Sequence, residues 1–203
     1  MAGAGFFQFL RRNDARYGSG MNESHSPPKN IVLIGFMGSG KSTVGRELNH
    51  RLGYPLVDMD QLIERKAGRP IPEIFRELGE PAFRDLESDL LGELADPVNI
   101  RRIISTGGGV VGRPENRELL KTLGYVVWLQ APVEVILDRT SKNRDRPLLQ
   151  MKNPRQRIES LMKERSPLYE EVAHLKIDTT GLDCRELATG ILESARYFLT
   201  GHF

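Results

Sequence analysis

The sequence predicts an α/β fold: a doubly wound parallel sheet of five strands in three layers, with a mobile lid and a helical substrate-binding segment. Three observations predict it. Short apolar segments alternate with amphipathic helical ones from residue 30 onward. The first, Ile31-Val32-Leu33-Ile34, is a β-branched run of the kind buried on both faces of a parallel sheet. It leads directly into Gly35-Phe36-Met37-Gly38-Ser39-Gly40-Lys41-Ser42-Thr43, which fits the phosphate-binding pattern G-x-x-x-x-G-K-[ST].

That first strand, turn and helix form the best-defined unit. Val44, Leu48 and Leu52 follow at spacings of four, the period of one helix face. The helix therefore starts at the end of the loop, with its free N–H groups and positive dipole end aimed back at it. Gly38, Ser39, Gly40, Lys41, Ser42 and Thr43 are candidate nucleotide-binding residues. Lys41 suits β- and γ-phosphates, and the Ser42 hydroxyl suits Mg²⁺.

Farther along, Leu56-Val57-Asp58 reads as a short strand, with Asp60 placed to cap the helix that carries Leu62, Ile63 and Ala67. A short helix over Ile74, Phe75 and Leu78 breaks at Gly79–Pro81, and a longer one follows through Phe83, Leu86, Leu90, Leu91 and Leu94. A brief strand from Arg102 to Ser105 ends in Thr106-Gly107-Gly108-Gly109. Pro114 opens a helix to Leu123. Tyr125-Val126-Val127-Trp128-Leu129 is the clearest strand, and Pro132 opens the next helix. Asn153-Pro154-x-Gln156 resembles a capped helix start, with Pro167 expected to kink or interrupt that helix. Leu175-Lys176-Ile177 is the last strand, and Asp183-x-x-Glu186 resembles a capping box for the closing helix.

The 203 residues suffice for one well-packed domain. Net charge is +2, which leaves no broad electrostatic footprint for nucleic acid or an anionic membrane. Cys184 is the only cysteine, so a disulfide framework or clustered thiolate metal site is excluded, and its expected role is a small apolar filler. No apolar run approaches the roughly 20 residues that span a bilayer. The expectation is a cytoplasmic monomer. Residues 1–29 read as a flexible N-terminal extension, with Met21 an alternative start and the first 20 residues read as appended. Residues 30–203 read as one domain, with the lid at about 140–152.

Several residues at predicted strand ends could do chemistry. Asp58 and Asp60 leave the second strand at the end of the sheet that carries the phosphate loop. Acids there can hold a Mg²⁺ shell, orient or deprotonate a hydroxyl, or simply cap a helix. Gly107, Gly108 and Gly109 permit close backbone approach and offer bare N–H donors. Arg84, Arg139, Arg144, Arg146 and Arg165 carry guanidinium forks suited to carboxylate and phosphate. The polar, arginine-rich stretch at 140–152 has the size and charge of a lid over triphosphate. The four histidines form no ligand spacing and receive no role.

Taken in order, these segments resemble the shikimate kinase family. The resemblance rests on Gly-Phe-Met-Gly-Ser-Gly-Lys-Ser-Thr-Val-Gly at 35–45, Asp-x-Asp at 58–60 and Phe-Arg-x-x-Glu at 83–87. It continues with Gly-Gly-Gly at 107–109, Arg-Pro-Leu-Leu at 146–149 and Glu-Arg-x-x-x-Tyr at 164–169. It implies transfer of the γ-phosphoryl of ATP to the 3-hydroxyl of shikimate, with Mg²⁺. By the resemblance, Lys41 holds the β/γ-phosphates, Ser42 ligates Mg²⁺ and Asp58 supports the metal shell. Asp60 binds shikimate hydroxyls and takes the proton of the attacking one. Arg84 and Arg165 clamp the carboxylate, Glu87 orients Arg84, and Gly107–Gly109 line the pocket with Gly108 as donor. Arg146 comes down with the lid, and Arg139 lies against adenine. Many family members carry a nucleotide-contacting arginine just after the last strand; Asp178-Thr179-Thr180-Gly181-Leu182 has none.

Overall fold

The structure, a computed structural model, describes residues 30–95, 101–141 and 153–200. The expected extension at 1–29, Arg144, Arg146 and nearly all of the expected lid lie outside the described residues.

Five parallel strands stand in the order β2-β3-β1-β4-β5. They are β1 (Asn30–Ile34), β2 (Leu56–Asp58), β3 (Ile103–Ser105), β4 (Gly124–Gln130) and β5 (Leu175–Asp178). The helices are α1 (Lys41–Leu52), α2 (Met59–Ala67), α3 (Ile71–Ala95), α4 (Pro114–Leu123), α5 (Val133–Ser141), α6 (Pro154–Val172) and α7 (Cys184–Thr200). The described residues thus form the three-layer fold that the strand–helix alternation predicts.

The pleat sorts the core. Val32 and Ile34 of β1, Ile104 of β3, and Val126 and Trp128 of β4 face one side, against Met59, Ile63, Phe83, Leu91, Leu120 and Tyr169. Ile31, Leu33, Ile103, Tyr125, Val127 and Leu129 face the other, against Val44, Leu48, Leu187, Ile191 and Ala195. Neighbours in sequence enter opposite layers because successive strand side chains point to opposite faces. Ile31–Ile34 of β1 and Tyr125–Leu129 of β4 are continuously apolar because both faces are covered.

Several local expectations change. The cap of α2 is Asp58, whose carboxylate accepts from the Gln61 N–H at 3.3 Å, and Asp60 lies inside the first turn. The strand passes directly into the helix, which shifts the cap two residues earlier. The break at Gly79 is real: its φ of 81° and ψ of 170° are non-helical and divide α3 into two segments. Pro167, by contrast, does not interrupt α6, which is continuous from Pro154 to Val172. At the start of α6, Asn153 accepts from the Gln156 N–H at 3.3 Å, while Gln156 Oε1 accepts from the Asn153 side chain at 3.4 Å. The box at α7 is complete: Asp183 accepts from the Glu186 N–H and its own N–H donates to Glu186 Oε2.

One histidine has a structural role after all. His174 Nδ1 accepts from the Val126 N–H at 3.0 Å, and the ring lies against Tyr125 and Phe198. Burial pushes its pKa down to about 4. A base whose folded pKa is lowered binds fewer protons than the unfolded chain. Its contribution is therefore present above the unfolded value near 6.5 and is lost as pH falls toward 4. The expected loss over that window is on the order of 3 kcal/mol. Urea unfolding of wild type and His174→Asn between those pH values checks it: the variant, which keeps an acceptor but cannot titrate, should show a flatter dependence.

Candidate active site

The carboxyl ends of β1, β2 and β3 converge on a cavity of about 430 Å³. Residues 37–44 line one wall, and Asp58, Asp60, Ser105, Thr106 and Gly108 line another. Arg139, Thr179, Leu182, Cys184 and Leu187 complete it. Its position follows from topology, because ligands of open parallel sheets sit beyond the strand carboxyl ends.

Backbone geometry makes the phosphate loop an anion cradle. Gly40 precedes α1 in a left-handed conformation with φ of 99°, so the loop turns sharply into the helix N-terminus. The Lys41 ammonium, almost buried, donates to the Gly35 and Phe36 carbonyls at 2.7 and 2.9 Å. The loop is thereby tied to its own first turn by a buried cation. The Ser42 hydroxyl donates to Asp58 Oδ2 at 2.8 Å, bringing two hard oxygen donors together at the cavity wall.

On the far side of the cavity, Arg139 Nη1 donates to the Gly38 carbonyl at 3.2 Å and to Thr179 Oγ1 at 3.3 Å. The Thr179 hydroxyl donates to the Gln130 carbonyl at 2.9 Å, so Arg139 is pinned between the phosphate loop and the end of β5. Cys184, expected as a core filler, is half-buried and borders this cavity. It stands in the first turn of α7, whose N-terminal end faces the cavity rather than the core.

A second cluster surrounds Gly107–Gly109. Arg84 of α3 donates to Glu87 Oε2 and, at 2.8 and 3.2 Å, to Glu80 Oε1. Glu87 is 1% exposed, and its Oε1 has no hydrogen-bond partner among the described residues. Burial pushes its pKa above the ordinary carboxylate value against the pull of Arg84, and Asp60 adds to the rise. A Cβ on Gly107 would lie 2.1 Å from Glu87 Oε1 and 3.1 Å from Asp60 Oδ1; one on Gly109 would lie 2.2 Å from Arg84 Nη1. From the opposite side, Arg165 Nη1 of α6 donates to the Gly108 carbonyl at 3.1 Å, and the Tyr169 hydroxyl donates to the same oxygen at 2.5 Å.

The structure thus gathers the sequence candidates into two adjoining groups. Gly38–Thr43, Asp58 and Arg139 surround the cavity, while Arg84, Glu87, Gly107, Gly109 and Arg165 cluster beside it. Asp60 and Gly108 belong to both. Arg146 lies outside the described residues. Sequence reading missed Thr179 and Glu80, and it quoted Tyr169 within a motif without giving it a role. The spacing of four between Tyr169 and Arg165 places both on one helical face, a signal that pointed to a shared site.

Three comparisons bear on this arrangement. The family model described as Shikimate kinase matches residues 37–196. A shikimate kinase of Acinetobacter baylyi is 49% identical over 163 residues, covering 80% of this chain and 89% of its own. A solved structure described as shikimate kinase from Acinetobacter baumannii in complex with shikimate is 45% identical, with a TM-score of 0.79. That match covers 87% of this chain and 96% of the other. A third likeness is to the shikimate kinase structure from Aquifex aeolicus, 37% identical with a TM-score of 0.71, covering 83% and 96% of the two chains.

The crowding at Gly107 can be tested directly. Gly107→Ala should force Glu87 aside and, through it, Arg84. Overpacking of this kind costs about 1–3 kcal/mol of stability, and the displacement of Arg84 should lower turnover. A steady-state ADP-release assay checks it, with a thermal unfolding scan to confirm that the variant is folded.

Proposed function

This chain belongs to the shikimate kinase family, and from that premise we propose how its own residues carry out the reaction. The enzyme is an ATP-dependent kinase that phosphorylates shikimate. The observation that carries the residue-level reading is the adjacency of the two groups: a phosphate cradle with a buried lysine shares Asp60 and Gly108 with a cluster holding two arginines.

The γ-phosphoryl of ATP goes to the 3-hydroxyl of shikimate, giving shikimate 3-phosphate and ADP. Phosphoryl transfer asks the protein for in-line positioning and neutralised charge rather than covalent chemistry. Gly38–Thr43 cradle the phosphates with backbone N–H groups, and Lys41 turns from the loop carbonyls to the β- and γ-oxygens. Arg139 and the Thr179–Leu187 side of the cavity take the adenine. Asp60 orients the attacking hydroxyl and receives its proton. Arg84 and Arg165 pair with the carboxylate, Glu87 holds Arg84 in place, and the Gly107–Gly109 turn brings its backbone against the ring, with Gly108 as donor.

Ser42 and Asp58 fit Mg²⁺, which prefers hard oxygen ligands and is usually held by one or two protein groups plus phosphate and water. When bound, the ion neutralises charge on the transferring phosphates. Residues 30–203 act as one kinase domain, with the arginine-rich segment at about 140–152 as its lid and Arg146 closing onto the phosphates. Among the described residues, no helix is long and apolar enough to cross a membrane. The net charge of +2 leaves no broad patch for nucleic acid or an anionic membrane, and a cytoplasmic, monomeric enzyme is part of the proposal.

Shikimate-dependent ADP release, abolished by EDTA, is the primary test; no shikimate-dependent turnover would sink the reading. In the same assay, Arg84→Ala should weaken shikimate by roughly 30-fold or more, the scale of losing a buried charge partner, while ATP affinity holds. The reverse pattern would remove Arg84 from the acceptor site. Arg146→Ala should lower kcat more than it raises the KM for shikimate, because lid contact matters most in the transition state. An unchanged kcat would contradict that role.

A further inference from the structure

Tyr169 closes the stretch Glu164-Arg165-x-x-x-Tyr169, and nothing in the proposed chemistry has yet used it. It sits one helical turn beyond Arg165, so both side chains leave the same face of α6. Both donate to one atom, the Gly108 carbonyl oxygen, whose two lone pairs can accept both.

The two donors differ in what a ligand can do to them. Arg165 is 9% exposed, and its guanidinium lies near the Phe36 ring. An acceptor carboxylate would draw on that group. Tyr169 is 2% exposed and belongs to the core, with its ring 5.5 Å from that of Trp128. Burial pushes its phenol well above the ordinary value, so it remains a proton donor throughout the working pH range.

Gly108 is also pressed from its other side. A Cβ there would lie 3.2 Å from the Met37 amide nitrogen and 3.5 Å from the Gly35 carbonyl. The turn therefore stands between α6 and the start of the phosphate loop. The Gly108 C=O and the Gly109 N–H share one planar trans peptide and point in opposite directions. Holding the carbonyl toward α6 turns that N–H away from α6.

We propose that Tyr169 is a positioning residue for phosphoryl transfer. Its hydroxyl holds the Gly108 carbonyl, so the triglycine turn keeps its orientation when the acceptor carboxylate engages Arg165. This rests on the reading that Arg84 and Arg165 bind that carboxylate. Tyr169 needs no contact with either substrate.

The test is Tyr169→Phe in the full chain, which removes the hydroxyl and keeps the ring. KM and kcat for both substrates are measured, together with shikimate titrations followed by the emission of Trp128, the single tryptophan. Loss of one buried hydrogen bond should raise the KM and Kd for shikimate by roughly fivefold to tenfold and change the KM for ATP by less than about twofold. Unchanged shikimate KM, Kd and kcat would overturn the proposal. Equal weakening of both substrates with a lowered Tm would also overturn it, because Tyr169 would then be only a packing residue. Arg84→Ala is run in parallel. If that variant binds shikimate normally, the acceptor-site reading fails by itself; if it binds weakly while Tyr169→Phe is normal, only the role of Tyr169 fails.

Discussion

The site depends on a close approach of backbones that leaves no room for a side chain. The phosphate loop leaves β1, the central strand, and is squeezed between its neighbours β3 and β4. A Cβ on Gly35, whose φ is 135°, would fall 2.4 Å from the Leu129 carbonyl oxygen at the end of β4. On the other side, Gly108 after β3 abuts the Met37 amide. The β3-β1-β4 order therefore sets the spacing between the glycine-rich turn at 35–43 and the triglycine turn at 107–109. Glycine is required there by packing as much as by chain flexibility.

Charge is arranged around that frame. Each cation in the two groups is restrained by the protein: Lys41 by loop carbonyls, Arg139 by Gly38 and Thr179, Arg84 by Glu80 and Glu87, Arg165 by Gly108. Such preorganisation lets donors meet phosphate or carboxylate without first being ordered at the moment of reaction. Burial makes the arrangement demanding. Glu87 is enclosed beside Asp60, so Arg84 and Arg165 offset carboxylate charge that the site could not otherwise hold.

Much of this was legible in the sequence, for identifiable reasons. Ile31–Ile34 followed by a glycine-rich turn and a helix of period four is local information, and it located β1, the loop and α1. The same holds for β4 and for the capping box at Asp183. What failed to appear is non-local. The pairing of Tyr169 with Gly108 joins residues 61 positions apart. Thr179 reads as an ordinary polar residue until β4 and β5 bring it to Gln130 and Arg139. Cys184 looked like filler because sequence does not tell which end of a helix meets a cavity. His174 failed to register because its value as an acceptor depends on the Val126 N–H, 48 positions away in sequence. The continuity of α6 through Pro167 ran against local propensity.

The central claim is that donor and acceptor sites are held in register by the turns at 35–43 and 107–109. A crystal structure of the protein with ADP, Mg²⁺ and shikimate tests it most directly. The expected result places the acceptor carboxylate between Arg84 and Arg165, with its 3-hydroxyl beside Asp60 and facing the β-phosphate across Gly108. A carboxylate bound away from both arginines, or a 3-hydroxyl turned away from the phosphate loop, would contradict the claim.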